Sequence, residues 1–418
     1  MENCTPITEC LACGSTDLIP TLDFGAQPLA NNFRDTAMTL YEKRYPLAIN
    51  RCQDCDHLQL THAVDPKLIY THYLYVSGTS GTYLEYMKWY AKFVLETYNT
   101  YTTKMGPYSV LDIGCNDGSQ LNAFKELTFR TFGVDPAENL WPTSSANHTV
   151  VCGFWDKTSA DHLGRKFDII SSQNAFAHNP NPLAYLQLAK EYLNDDGKIF
   201  ISTSQADMVL NGEFDTIYHE HISYYNANSM RELATRAGLY LIDVIKTPIH
   251  GTSYIFVLSA KPANSERVEN IIAMEAAAGL VSGSTYRKWA SQTSQILQGI
   301  RVTVDAYKDK QYKIVGYGAA AKGMTLLNAS RIQLDCVVDD NPLKVGLWCP
   351  GTSIPVVSID YIKQLSAQDK VVFIPLAWNF YKEIKNKIVG IRSNPSDVFM
   401  RYFPTIQFET IQPHDHQH

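Results

Sequence analysis

Between residues 109 and 260, short apolar runs alternate with stretches of helical period. Residues 110–113, 132–135, 149–151, 167–171 and 198–202 read as strands, and 119–124, 182–193 and 230–237 read as helices, with Gly238 closing the last. This alternation predicts a mainly parallel sheet with helices on both faces. The runs 239–245 and 253–258 lie too close for an intervening helix and predict a closing hairpin-like pair. Upstream, 83–98 predicts a long amphipathic helix, and up to about residue 75 only short strands and turns are expected. Downstream, 266–280 and 285–307 predict two helices. Strand, Gly turn and helix then return at 312–323, with later strands at 334–340 and 371–376, as a degenerate second copy of the central α/β pattern.

The first strand-to-helix turn holds Asp112, Gly114, Asn116 and Gly118. A dinucleotide fingerprint counted from Gly114 requires Gly where Asn116 stands and Gly or Ala where Ser119 stands, so it fails at both. Acid-x-Gly-x-x-x-Gly instead resembles motif I of the S-adenosylmethionine-dependent methyltransferases. Asp135, followed by Pro136, closes the second strand about 20 residues later, where an acid holds both hydroxyls of a ribose. Phe154 follows the third strand as a candidate face for adenine. Gln173 and Asn174 lie just past the fourth, at the sheet edge where ligands bind in such folds. Seven strands ending in a hairpin are the methyltransferase arrangement, not that of the dinucleotide dehydrogenases.

Cysteine usage changes the picture at the N-terminus. Cys10 and Cys13, then Cys52 and Cys55, form two CxxC pairs suited to tetrahedral thiolate ligation of zinc, with Cys4 outside the set. The gap between pairs requires a looped-out segment, for which 24–31 is the candidate. Such a zinc supports a module too small for its own core and need not touch chemistry. Nine cysteines, an odd number, with no basic and apolar leader, predict reduced thiols and a cytoplasmic protein. No apolar run approaches the ~20 residues of a membrane span. A net charge of −6 among 418 residues argues against nucleic acid as partner.

Polar chemistry collects in a few places. Residues 70–80 are dense in phenols and hydroxyls, Tyr73, Tyr75 and Ser77 among them, and suit a polar substrate such as a sugar. After the fifth strand, Tyr218, Glu220, His221 and Tyr224 stand in a loop expected above the cofactor edge. His221 with Glu220 and Tyr218, and His178 from past the fourth strand, could abstract a proton beside a carbonyl and hold the resulting enolate. His250 and Ser253 open the last hairpin and could face the same cleft. Lys322 follows the second Gly turn and could meet a pyrophosphate, and Trp378 and Asn379 follow another strand end.

Taken together, these motifs resemble the nucleotide-sugar C-methyltransferases of unusual deoxysugar pathways. The resemblance covers residues 10 to about 408 and is carried by the paired CxxC, the 73–78 and 218–225 stretches, the 316–323 turn and Ala377 to Phe380. It implies a zinc-binding N-terminal module (1–75), a Rossmann-like class I methyltransferase domain (76–262), and a Rossmann-like C-terminal α/β domain (263–410) completing the sugar-nucleotide site, with a tail at 411–418. It further implies a monomer that methylates C3 of an NDP-4-keto-6-deoxyhexose, dTDP- or GDP-linked, with S-adenosylmethionine and structural zinc. The family's base falls on His221, with Glu220 and Tyr218 beside it, His178 across the cleft and Tyr75 on the substrate side. One departure bears on the sugar: the family continues its His-Gly stretch as Gly-Ser-Leu-Arg, whereas Thr252, Ser253, Tyr254 and Ile255 follow here. Two other readings stay open. Gly316, Gly318 and Ala321 with Asp339 or Asp340 formally fit a dinucleotide fingerprint and an NAD-dependent oxidoreductase, and the zinc module could serve an RNA methyltransferase.

Overall fold

The computed structural model describes residues 3–37, 42–79, 81–204, 207–247 and 252–411. Two compact units share the chain without following its linear order. The first takes residues 1–20, 49–207 and 220–282, and the second takes 21–48, 208–219 and 283–418. Part of the region between the cysteine pairs and the start of the 218–225 stretch therefore fall in the second unit, across the boundaries expected at 75 and 262.

The first unit is built on a seven-stranded sheet. Its strands along the chain are Ser109–Ile113, Arg130–Asp135, Thr149–Cys152, Phe167–Gln173, Leu193–Ser204, Tyr240–Thr247 and Ser253–Ser259. They lie in the order third, second, first, fourth, fifth, seventh, sixth. The first five run parallel and the seventh slots antiparallel between fifth and sixth. Strand alternation sorts the core into two faces. Val110, Ile169, Phe200 and Val257 meet Tyr90 and Val94 of helix Gly81–Asn99. Leu111, Ile170, Ile199 and Phe256 meet helices Pro182–Glu191 and Ala227–Arg236 on the other. Each such side chain contributes about 1.5–3 kcal/mol by leaving water.

Two expectations are corrected. The segment between the cysteine pairs is looped only in part, because Leu18–Gln27 is a ten-residue strand in the sheet that also holds Tyr45–Cys52, and of the expected loop only 28–31 lies outside any helix or strand. The 218–225 stretch is also not wholly a loop. Ser223–Tyr224 forms a short strand paired antiparallel with Gln59 and Leu58 of the zinc module. Polar residues hid this strand, since the pairing partner rather than apolar alternation creates it. The following helix starts earlier than the period suggested, at Ala227, where Asn226 and Ser229 close a capping box.

The second unit holds a six-stranded sheet. Counting Lys313–Tyr317, Cys336–Val338, Val356–Val357, Val371–Pro375, Val398–Arg401 and Gln407–Thr410 along the chain, the order is third, second, first, fourth, fifth, sixth. That is the Rossmann-like order, with only the last strand antiparallel. Among the described residues no helix is long and apolar enough to cross a membrane.

Candidate active site

The turn after Ser109–Ile113 is shaped by backbone conformations that glycine tolerates. Gly114 has φ of 81°, and a Cβ there would stand 2.4 Å from Ala175 Cβ, so only glycine lets the chain pass. Gly114 N donates to Val134 O (2.8 Å), and Gly118 precedes helix Ser119–Glu126. Asp135 closes the second strand with both carboxylate oxygens engaged, one by Asn116 N and one by Ala137 N, each at 2.8 Å. Carboxylate oxygens keep further lone pairs for two hydroxyls. Pro136 and Phe154 stand half-buried after the second and third strands.

The polar side chains of this turn do two different jobs. Asn116 is turned toward the phenol-rich strip, accepting from Ser77 N (2.9 Å) and donating to Tyr75 O (3.1 Å). Asp117 accepts from Gly78 N (2.9 Å), so strip and turn are stapled together. Asp112 is buried, with Oδ1 lacking a partner among the described residues, and burial pushes its carboxyl up to about 7. Gln173 donates to Gln120 Oε1 (2.8 Å) while its own Oε1 is buried without a partner among the described residues. Asn174, at φ 52°, donates to the Tyr83 hydroxyl at 3.3 Å. A buried acid with one oxygen unpartnered among the described residues, beside a glycine turn, suits a cationic amino-acid group, and an acid at the second strand end suits a ribose. Those are the two polar ends of S-adenosylmethionine, so the residues present fit it.

Above the strand edge three rings form a column. Tyr70 stacks on His178 (centroids 5.4 Å, interplanar 7°), and His178 stacks on His221 (5.2 Å, 27°). His178 is thus in contact with His221, not across a cleft from it. Burial drives His178 down to about 4, so its ring is neutral near pH 7, and its Nε2 has no partner among the described residues. Glu220 is buried, and its carboxylate accepts from the Tyr73 hydroxyl at 2.6 Å, a charge-assisted contact. Tyr70 donates to Glu220 O (3.3 Å), and Asn139 clamps the Tyr73 main chain on both its N–H and its C=O. Tyr70 and Asn139 were not singled out from sequence. Tyr70 sat in the phenol-rich strip, but nothing marked Asn139.

The remaining candidates scatter. Tyr224 is fully buried with its ring edge-on to His221 (6.2 Å, 79°), and Ser253 is buried at the start of the seventh strand. Tyr75 is 42% exposed beside Tyr73. His250 lies outside the described residues. Tyr218 belongs to the second unit, as do Lys322, Trp378 and Asn379. There Lys322 pairs with Glu213 at 3.7 Å and lies over the Trp378 ring at 4.8 Å. The Trp378 indole and the Tyr402 hydroxyl each donate to Asp215 at 2.8 Å. Asn379 is exposed.

The four knuckle cysteines converge as their spacing required. Their Sγ atoms all lie within 4.8 Å of one another, Cys10 to Cys55 at 3.6 Å and Cys13 to Cys52 at 3.5 Å. Tetrahedral zinc with bonds of about 2.3 Å sets sulfurs roughly 3.8 Å apart, so the donor set fits. Cys13 N points at Cys10 Sγ (3.4 Å), and the Cys10 thiol is held well below its ordinary value, chiefly by the Cys55 hydrogen bond. Cys4 stands in a separate strand, Cys4–Pro6.

Known proteins align with this architecture part by part. Residues 10–70 match a zinc-binding-domain model, 83–244 a methyltransferase domain and 248–404 a C-methyltransferase C-terminal domain. The C-methyltransferase NovU of Streptomyces niveus is 29% identical over 391 residues, 91% of each chain. A ubiquinone biosynthesis O-methyltransferase of Glaesserella parasuis is 33% identical over 105 residues, covering 22% of this chain and 44% of that one. Another from Idiomarina loihiensis is 28% identical over 188 residues, covering 40% and 74%. Sheet order, glycine turn and paired acids define a class I S-adenosylmethionine-dependent methyltransferase with a zinc-binding module. More narrowly, its three parts are similar, in chain order, to a zinc-binding domain, a methyltransferase domain and a C-methyltransferase C-terminal domain.

Proposed function

We propose that the protein methylates C3 of an NDP-4-keto-6-deoxy sugar, with His221 as the base. The observation that carries this reading is the His178–His221 stack beside a buried Glu220. S-adenosylmethionine supplies an electrophilic methyl group when bound, so the protein's task is to make carbon nucleophilic. The 4-keto group acidifies the C3–H bond. His221 takes that proton, the electron pair passes into the enolate, and C3 is left as the nucleophile. A neighbouring imidazole that stays neutral leaves the new imidazolium without like-charge repulsion, and the adjacent carboxylate favours it.

Around this step, Asp112, Gly114, Gly118, Asp135, Pro136, Phe154, Gln173 and Asn174 are proposed to hold the cofactor, Asn116 acting through its main chain. Tyr73, Tyr75 and Ser77 are proposed to line the sugar side. Tyr218, expected beside the base, and Lys322, Trp378 and Asn379, expected at the substrate, belong to the second unit. The departure at Thr252 to Ile255 bears on which sugar is accepted, not on the reaction.

The test is mass spectrometry of dTDP- and GDP-4-keto-6-deoxyhexoses incubated with enzyme and S-adenosylmethionine in deuterated water. One added methyl with loss of the C3 hydrogen is expected for one of the two nucleotides. No methyl gain and no deuterium uptake in either would overturn the sugar reading. In the same assay His221→Ala should lose about 10²–10⁴-fold in turnover, the range of a positioned general base, while keeping cofactor affinity. Unchanged turnover would remove His221 from that role.

A further inference from the structure

The strand that carries His221 forward is gripped from two sides within three residues. Ile222 N donates to Ala177 O (2.8 Å), in the turn that presents His178. Ile222 O accepts from Leu60 N (2.8 Å), and Ser223 and Tyr224 pair with Gln59 and Leu58. Gln59 in turn accepts from Leu11 N (2.8 Å) and donates to Glu9 O (2.9 Å), the residues flanking Cys10. The thiolate cluster and the ring stack therefore meet through one short strand pair.

His57 sits at that junction with no assigned role. Its main-chain oxygen accepts from Cys52 N (2.9 Å), closing the second cysteine knuckle. Its ring is 0% exposed, with Nε2 at 3.2 Å from Ser223 Oγ and its face 4.7 Å from the Tyr225 ring. Tyr225 packs at 5.3 Å on Phe176, two residues before His178. Burying an imidazole is costly, the more so as His57 Nδ1 has no partner among the described residues, and an apolar ring would fill the same space without that cost. What the imidazole adds is direction, a tie from the knuckle to one particular hydroxyl.

We propose that His57 is a positioning residue for methyl transfer: through Ser223 it sets the His221 ring against His178, so that the thiolate cluster fixes where the base stands. The effect on turnover rests on His221 being the base; the ring placement does not.

The test uses the zinc-loaded full chain with ¹³C-labelled histidine rings. His57→Phe keeps an aromatic face against Tyr225 but removes the ring nitrogen, and Ser223→Ala removes only the hydroxyl. Both should retain wild-type zinc content and bind S-adenosylmethionine within twofold of wild type. Both should shift the His221 ring resonance and lower kcat tenfold or more with KM little changed. The double variant should lose no more than the worse single one, the mark of a shared contact. An unmoved His221 resonance in both variants, or losses that multiply in the double variant, would overturn the proposal. Zinc loss in Ser223→Ala would also overturn it, since the contact would then be holding the metal site itself. A shifted resonance with unchanged kcat would overturn His57 as a positioning residue for methyl transfer, whereas unchanged turnover in His221→Ala would overturn the functional reading, so the two failures are told apart.

Discussion

The molecule contains the same backbone device twice, and only one copy carries the marks of a cofactor site. In the first turn Gly114 N donates to Val134 O, and Asp135 accepts from Asn116 N and Ala137 N. In the second, Gly318 N donates to Val338 O at 2.7 Å, and Asp339 accepts from Ala319 N (2.5 Å) and Asn341 N (2.7 Å). The difference lies two residues earlier. Asp112 of the first turn is replaced by Gly316, where a Cβ would meet Leu334 Cδ1 at 2.9 Å and Leu376 Cδ1 at 3.1 Å. The second turn is also neutralised from within. Lys344 donates to Ala319 O (2.7 Å), while Lys387 (2.7 Å) and Tyr317 both donate to Asp340. Asp135 and Asp339 are thus bonded alike, and what sets the first turn apart is a buried acid at Asp112 with one oxygen unpartnered among the described residues, where the second has glycine.

The comparison can be broken most directly by grafting the missing acid. Gly316→Asp should destabilise the protein by about 4 kcal/mol or more, combining overpacking with an unpaired buried carboxylate. Denaturant unfolding reads this, and wild-type stability would mean that the turns are interchangeable. Next in size, Asp135→Ala should weaken S-adenosylmethionine binding by about 1.5–3 kcal/mol, whereas Asp339→Ala should leave that affinity unchanged and lower Tm instead. Calorimetry on both variants separates the cases, and equal losses of affinity would defeat the distinction.

A pH effect sharpens the same contrast. Asp112 is pushed from 3.8 up to about 7 by burial. Between those values the unfolded chain has released a proton that the folded one retains, so this group's contribution to stability falls as pH rises across that window. Cofactor-free protein should lose several degrees of Tm from pH 5 to 7, and Asp112→Asn should flatten that slope; an identical slope would place the titration elsewhere. The smallest expected signal is none: NADH fluorescence titration should show no saturable binding at the second turn. Saturable binding would revive the dinucleotide reading of Gly316, Gly318 and Ala321.

Legibility followed the range of the interactions. The five parallel strands of the first unit and its closing pair were readable because apolar periodicity is written locally, and the cysteine cluster because ligand spacing is. Three things were not readable. Ser223–Tyr224 reads as polar loop because its strand character comes from Leu58 and Gln59, more than 160 residues away. His57 was passed over because nothing near it announces Ser223 as a partner. His178 and His221 were named separately, but their stacking depends on the Ala177–Ile222 bond between two distant turns.

By itself, then, the sequence determined which residues could do chemistry: the thiols, the acids at the strand ends, the glycines of both turns and the histidines after the fourth and fifth strands. Only the tertiary structure decided which acids are left short of partners and which rings touch. The reason is physical. Element type and ligand identity follow from neighbours a few positions apart, whereas burial and hydrogen-bond satisfaction depend on groups that only folding brings together.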